Sequence, residues 1–312
     1  TSERINNHRI ASICLFSGRF KIMKSGFVSI VGRPNAGKST IINALLERKL
    51  SIVTEKAQTT RNSIKGIYDD GEYQIIFIDT PGIHKANHSL GEFMNKEALD
   101  SAKDVDANIL VVDASKKFDE GDRFINESIP KDIPLFIVIN KIDLMRINEV
   151  QAIKAKYQEA YPNAELIEAS AIENFGIDTL LNKVKGGFQE GPRYFAEDQV
   201  TDKDSSFMIS EVIREKLLKL LKEEVPHDLA VRVDEIKSKS EAVYIRATII
   251  VDKESHKGIV IGKGGKRIKA IGMKARTDLE EYYIKRIFLE LFVSVKEDWL
   301  NNPRILKELG YK

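Results

Sequence analysis

Between residues 26 and 188, short apolar, β-branched runs alternate with longer stretches whose apolar positions return every third or fourth residue. The runs "FVSIVG", "SIKGIYD", "YQIIFID", "NILVVD", "PLFIVIN" and "AELIEAS" predict strands. "STIINALLERK", "HSLGEFMNKEALDSAK" and "INEVQAIKAKYQEAY" predict amphipathic helices. Strands alternating with helices predict an α/β fold with a doubly wound, mainly parallel sheet. Only "DGE" separates "SIKGIYD" from "YQIIFID", so this pair predicts an antiparallel hairpin at the sheet edge.

After Gly191 the pattern changes. "GPRYFAEDQVTDKDSS" is polar, carries Gly-Pro and reads as a linker. "SEVIREKLLKLLKEEV" predicts a helix capped by Ser210, with Ile213, Leu217 and Leu220 on one face. "LAVRVDEI", "EAVYIRATIIVD" and "IFLELFVSVKED" alternate as strands. Before the last of these, Ile268, Ile271, Ala275, Leu279 and Tyr282 recur at helical spacing and predict a core face. Tyr282, Tyr283, Phe288 and Phe292 read as core rather than base-stacking aromatics, and Trp299 as core as well. The expected organisation is a first domain at 24–188, a linker at 189–205 and an α+β domain at 206–312. The chain shows no internal repeat and no low-complexity tract.

At 312 residues there is length for two domains, each with its own core. No apolar run is long enough to span a bilayer. The net charge of +2 hides an asymmetry: residues 205–312 hold 22 Lys+Arg against 17 Asp+Glu, or +5, which leaves −3 for the remainder. Cys14 is the only cysteine, which excludes an intramolecular disulfide and a cysteine-based zinc site and fits a reducing compartment. Residues 1–23 read as a leader or an added extension. Their apolar stretch "IASICLF" is short for a signal peptide, and "KSGFVSI" after Met23 looks like a natural start.

Four motifs carry chemistry, each at the carboxyl end of a predicted strand, where such sheets bind ligands. "GRPNAGKST" matches the phosphate-binding loop pattern from Gly32 to Ser39, between a strand and a helix. Gly32 and Gly37 permit close backbone approach, so the amides of Gly32, Arg33, Pro34, Asn35, Ala36, Gly37, Lys38, Ser39 and Thr40 (proline excepted) can line an anion cradle. Lys38 adds charge for the β- and γ-phosphates, and Ser39 a hydroxyl for Mg²⁺. "DTPG" follows, with Asp79 for the Mg²⁺ shell, Thr80 and Pro81 behind it, and the Gly82 amide as a γ-phosphate sensor. In "NKID", Asn140 ends a strand and Lys141 can lay its stem along a base. Asp143 can accept from both N1–H and the 2-amino group of guanine. "ASA" offers the backbone amides of Ser170 and Ala171 to guanine O6. Together they predict a GTP/GDP site with Mg²⁺.

These segments, with "KAQTTRNSIKG" and the linker "EGPRYFAEDQVTD", closely resemble the translation-factor-type GTPases and, within them, the Era family. The resemblance spans residues 24–312 and implies that Gln58–Asn62 form the first switch, with Thr59 or Thr60 joining Ser39 and Asp79 on Mg²⁺. Ras-like enzymes orient the attacking water with a Gln just after D-x-x-G; here that position is Ile83, which cannot hydrogen-bond through its side chain. Asn35 is similar to a residue that holds a potassium ion in related GTPases, so Asn35, Lys38, Thr59, Thr60 and Gly82 are the catalytic candidates, K⁺ being an optional cofactor. The alternative for Asn35 is a loop residue bonding its own backbone. His84 reads either as a water-positioner or as an exposed loop histidine.

In the second domain, "IVIGKGGKRIKAI" places Gly262-Lys263-Gly264-Gly265 between apolar residues and a basic helix. Residues 253–276 hold eight Lys/Arg against the single acid Glu254. This resembles a type II KH domain, whose glycine loop clamps about four nucleotides of single strand. Lys257, Ile261, Gly262, Lys263, Gly264, Gly265, Lys266, Arg267 and Lys269 are the RNA-binding candidates. The resemblance implies a cytoplasmic monomer that binds small-subunit (16S) ribosomal RNA near its 3′ end. It also implies a role in assembly of the 30S-type ribosomal subunit and a peripheral contact with the inner face of the cell membrane. Two other classes remain open: an RNA-binding scaffold that holds GTP without turnover, and a GTPase acting on another RNA or a protein.

Overall fold

A computed structural model of the chain describes residues 23–56, 58–221 and 228–311. The expectations for residues 1–22, including Cys14, lie outside the described residues. The first part runs β1 (Met23–Gly32), α1 (Lys38–Leu45), β2 (Ile64–Asp69), β3 (Tyr73–Asp79), α2 (Ser89–Asp100), β4 (Ala107–Asp113), α3 (Glu120–Ser128), β5 (Leu135–Asn140), α4 (Ile147–Ala160), β6 (Glu165–Glu168) and α5 (Ile177–Gly186). The strands lie in the order β2-β3-β1-β4-β5-β6. All neighbours are parallel except the β2–β3 hairpin at the edge, as expected from its short connection. Both faces are covered: one core gathers Ile30, Ile41, Phe77 and Leu180, the other Val31, Leu110, Ile139 and Tyr157.

The stretch expected as a linker is a strap laid along this sheet. β7 (Glu190–Gly191) pairs antiparallel with the start of β1. The Gln74 side chain then accepts from the amides of Tyr194 (2.7 Å) and Phe195 (3.0 Å) and donates to the Phe195 carbonyl (2.9 Å). Ile67 donates to the Val200 carbonyl at 3.1 Å. A buried glutamine whose amide binds this backbone segment, with a further bond to Asp69 (2.9 Å), replaces the solvent a free linker would need.

The second part is α6 (Ser205–Leu220), β8 (Leu229–Ser238), β9 (Ala242–Val251), α7 (Glu254–Ile261), α8 (Lys266–Tyr283), β10 (Arg286–Val295) and α9 (Pro303–Glu308). Its sheet has the order β10-β9-β8, with β9 antiparallel to β8 and parallel to β10. Helices α6, α7 and α8 cover one face through Ile213, Leu217, Val260, Ile271, Ala275 and Leu279. One expectation fails here. Helix α6 begins at Ser205 with Asp204 as cap, its carboxylate accepting from the Phe207 amide at 2.8 Å, while the Ser210 hydroxyl bonds back to the Phe207 carbonyl. Asp204 and Ser210 are competing caps, and the earlier one adds over a turn of helix. The residues expected to extend that helix beyond Leu221 lie outside the described set.

The aromatic residues divide as well. Trp299 is fully buried, and Tyr283 is half-buried against the helix core. Tyr282, Phe288 and Phe292 are each about half exposed, so their reading as core is corrected. On α8 the buried row steps from Leu279 to Tyr283, four residues on, leaving Tyr282 outside. On β10 the odd-numbered Ile287, Leu289 and Leu291 face the helices, so Phe288 and Phe292 face away.

The two parts are joined by side chains of both. Leu90 and Met94 of α2 share a core with Ala230, Ile250, Trp299, Leu306 and Tyr311. Arg61, buried, donates to the Leu229 carbonyl at 2.7 Å, and Arg214 of α6, also buried, donates to the Thr59 carbonyl. Lys49 reaches Glu215 (2.8 Å) and Asp278 (3.2 Å) across the junction. Among the described residues, no helix is long and apolar enough to cross a membrane.

Burial opposes ionisation of Glu215, but its hydrogen bonds from Lys49, Lys216 and Lys219 win and hold its carboxyl at about 2, below the ordinary 4.5. Between those values the unfolded chain binds a proton that the folded chain refuses. Stability from this group is therefore complete above about pH 4.5 and is lost as pH falls toward 2. Urea midpoints taken from pH 5.5 down to 2.5 should fall less steeply for Glu215→Gln than for the parent. Parallel curves would show that the network does not tie the two parts together.

Candidate functional site

The carboxyl ends of β1, β3, β4 and β5 open into one pocket of about 840 Å³, lined by the loop before α1, residues 52–56 and 58–60, and Asn140, Lys141, Asp143 and Leu144. The loop's glycines are required by contact as well as conformation. Gly32 (φ 148°) would place a Cβ 2.4 Å from the Val111 carbonyl, and Gly37 (φ 101°) one 2.2 Å from the Asn140 amide. Gly37 caps α1 without a side-chain hydrogen bond, which leaves the first-turn amides of the helix aimed at the pocket. Pro34, Asn35, Gly37, Lys38, Ser39 and Thr40 line it. Arg33 instead turns to Asp119 (2.7 Å) and Asp122 (3.4 Å) beside α3. Ala36 sits in the core, and the Thr80 hydroxyl donates to the Ile30 carbonyl at 2.6 Å.

Lys38 is buried, its ammonium donating to the carbonyls of Gly32 (3.1 Å) and Arg33 (2.9 Å). Burial pushes it down to about 8 against the pull of Asp79. Asp79 is fully buried, and that burial raises its carboxyl above the usual range, opposed by Lys38 and the neighbouring hydroxyls. Its Oδ2 accepts from Ser39 (2.8 Å) and Thr60 (3.4 Å), while its Oδ1 has no hydrogen-bond partner among the described residues. Ser39 and Thr60 hydroxyls lie 2.9 Å apart. A carboxylate with an unsatisfied oxygen beside two hydroxyls fits a hard divalent cation such as Mg²⁺. Thr59 is separated from this cluster: its hydroxyl donates to the Lys56 carbonyl (2.7 Å) and meets Thr54 (2.8 Å).

At the other end Asn140 locks the two halves, donating to the Ala36 carbonyl (2.9 Å) and accepting from the Ala171 amide (3.0 Å). Lys141, in the left-handed region (φ 65°), extends its ammonium to Asp113 at 2.6 Å. Asp143 is exposed to the pocket and accepts from the Ser170 hydroxyl at 2.5 Å. The Ser170 amide donates to the Phe175 carbonyl at 3.1 Å. Both amides expected to be open to a base are thus engaged inside the protein.

In the second part, Gly262, Gly264 and Gly265 all have φ of 61–73°, which lets the turn between α7 and α8 close within four residues. Lys263, Lys266, Arg267 and Lys269 stand exposed around it; Lys257 and Ile261 are half-buried on the α7 side.

Residues 27–141 match the family model of the 50S ribosome-binding GTPases, and residues 224–300 that of the KH domain. Among curated relatives, the GTPase Era proteins of Alkaliphilus metalliredigens and Clostridium kluyveri are each 46% identical over 293 residues. Those alignments cover 93% of this chain and 99% and 100% of the relatives. The chain belongs to the Era family of GTPases. It is a GTP-hydrolysing enzyme with a P-loop GTPase fold followed by a KH domain. Two solved structures are similar over 93% of this chain, each at 37% identity. One is Era in complex with MgGDPNP and nucleotides 1506–1542 of 16S ribosomal RNA, with a TM-score of 0.90. The other is an Aquifex aeolicus Era variant bound to GDP and aluminium fluoride, with a TM-score of 0.89.

The residue directly after the D-x-x-G glycine, Ile83, has no polar side chain. Ile83 is buried among Val31, Leu110 and Val112, its amide donating to the Gly32 carbonyl at 3.1 Å. His84 is half-buried rather than exposed. Its Nδ1 lies 2.8 Å from the Gly82 carbonyl and its Nε2 2.9 Å from the Gln58 amide nitrogen. Nδ1–H therefore donates to Gly82, and Nε2 accepts from Gln58. Asn35 donates to the Glu55 carbonyl at 2.8 Å, a bond across the pocket rather than to its own backbone. Sequence reasoning missed Leu218 and Lys219 of α6, which also line the pocket, because no local signal marks a wall supplied by another domain.

Thr60→Val should remove the Mg²⁺ dependence of GTP-analogue binding, a loss on the order of 10- to 100-fold at saturating Mg²⁺. Thr59→Val should stay within about twofold of the parent. Titration calorimetry with and without Mg²⁺ reads both; the opposite ranking would exchange the two roles.

Proposed function

We propose that this chain uses GTP binding and hydrolysis to govern its hold on single-stranded RNA at the 3′ end of small-subunit ribosomal RNA during assembly of that subunit. The observation that carries the reading is the presence in one chain of the Asp79–Ser39–Thr60 pocket and the glycine loop between α7 and α8. A relative matching 93% of the chain holds MgGDPNP and 16S ribosomal RNA together.

Ser39, Thr60 and Asp79 would hold Mg²⁺, which when bound would neutralise charge on the β- and γ-phosphates. Lys38 leaves its two carbonyl partners for the phosphates, whose negative charge stabilises the ammonium that burial disfavours. Amides of Gly37–Thr40 cradle the phosphate oxygens, and the Gly82 amide meets the terminal one. Asp143 reads the guanine amide edge. Asn35 tethers residue 55, three residues before the switch segment, to the phosphate loop, and its amide oxygen supports a potassium ion beside the phosphates. Turnover equal in potassium and in sodium would remove that ion from the account.

RNA binding is tested with the full chain by fluorescence anisotropy on a labelled single strand ending like small-subunit RNA, beside a duplex of equal length. A clamp on about four phosphates gives a slope near −3 in log K against log salt, so fourfold more salt weakens binding by roughly 50-fold. Replacing Lys263 and Gly264 by Asp should abolish single-strand binding and leave GTP affinity unchanged. Parent-like binding by that variant, or preference for the duplex, would overturn the reading.

A further inference from the structure

The face of the second sheet turned away from the helices is aromatic. Tyr244 and Phe288 are register partners on β9 and β10, their rings stacked 4.7 Å apart at 8°, and Phe292 stands two positions along the same row. All three are exposed, by 39%, 50% and 51%. Each end of the row carries a cation on a ring: the Lys239 ammonium lies 5.1 Å from the Tyr244 centroid and the Arg246 guanidinium 5.9 Å from that of Phe292. Cross-strand stacking alone would explain the Tyr244–Phe288 pair. It does not explain Phe292, which faces Thr248, nor why a bare phenylalanine row lies on an edge strand, where exposed apolar surface invites aggregation.

A concavity of about 720 Å³ joins this face to the opposite side of β10. Lys269, Met273 and Arg276 of α8 line one part, and Lys237, Tyr244 and Phe288 the other. Its lining holds five Lys/Arg against two carboxylates, Glu235 and Glu290, each already paired with a cation, Lys237 and Arg246. The α8 wall begins at the glycine loop, so a strand held there has a continuous basic path over the β10 edge onto the rings.

We propose that Tyr244, Phe288 and Phe292 form a base-stacking platform for single-stranded RNA that continues beyond the nucleotides held at the glycine loop. The inference rests on the RNA-clamp reading of that loop. Rings accept any base through its π-face, the flanking cations meet the phosphates, and the two carboxylates are placed to accept from exocyclic amino groups. The platform lengthens the bound strand without demanding its sequence.

The test uses the full chain and labelled RNA strands of four and ten nucleotides, the ten-mer also with abasic sites beyond its first four. The parent should bind the ten-mer much more tightly than the four-mer, and the abasic ten-mer like the four-mer. Phe288→Ala and Phe292→Ala should each weaken the ten-mer by about fivefold or more. Their four-mer affinity should stay within about twofold, and their GTP turnover should be unchanged. Phe288→Trp should retain parent affinity. Equal losses on both strands, no loss on the ten-mer, or an abasic ten-mer bound like the intact one would overturn the platform. The variant with Asp at 263 and 264 separates the readings: if it loses both strands while the Phe variants keep the ten-mer, the clamp stands and the platform fails; if it keeps both strands, the clamp fails and the platform that rests on it fails too.

Discussion

Two opposite charges held out of water, Lys38 and Asp79, set the terms for everything around the pocket. No ion pair joins them among the described residues; each is satisfied only in part, by loop carbonyls or by hydroxyls. Buried charges without a full partner cost several kcal/mol each in a folded protein. The cost is accepted because Asp79 ends β3 and Lys38 opens α1, whose first-turn amides point at the same space. On the proposed reading, a bound magnesium–phosphate pair would supply the missing opposite charges together: anion to Lys38 and the amides, cation to Asp79 and the hydroxyls. Binding the nucleotide and relieving the buried charges are then one event.

The same pocket is fastened to the second domain through its switch segment. Thr59 gives its carbonyl to Arg214 of α6, Arg61 reaches the carbonyl of Leu229 in β8, and Thr60 between them faces Asp79. Three consecutive residues thus divide their bonds between a KH domain and a metal-binding cluster.

Much of this was legible in the sequence because it is local. The alternation of strands and helices, the hairpin across "DGE" and the four motifs at strand ends each rest on a few adjacent residues, and the fold places them as read. What escaped depends on pairings distant in sequence. Gln74 binding the strap at 194–195, and α6 lending Leu218 and Lys219 to the nucleotide pocket, leave no periodic trace. The aromatic row escaped for a different reason: "IFLELFV" is apolar on both faces, so its period of two cannot say which face is covered. Ser210 was misread as a cap because Asp204, six residues earlier, offers the same chemistry first.

The central claim is that the pocket reads guanine through Asp143 while the buried charges hold its phosphates. Affinities of the parent and of Asp143→Asn for GTP and xanthosine triphosphate test it most directly. A site that pairs two donors discriminates by roughly 10⁴-fold when its polar groups are left unmatched. The variant should therefore lose GTP by a large factor and gain xanthosine triphosphate, whose C2 carbonyl suits an amide donor, with Mg²⁺ still required for both. Unchanged GTP affinity in Asp143→Asn would contradict the assignment.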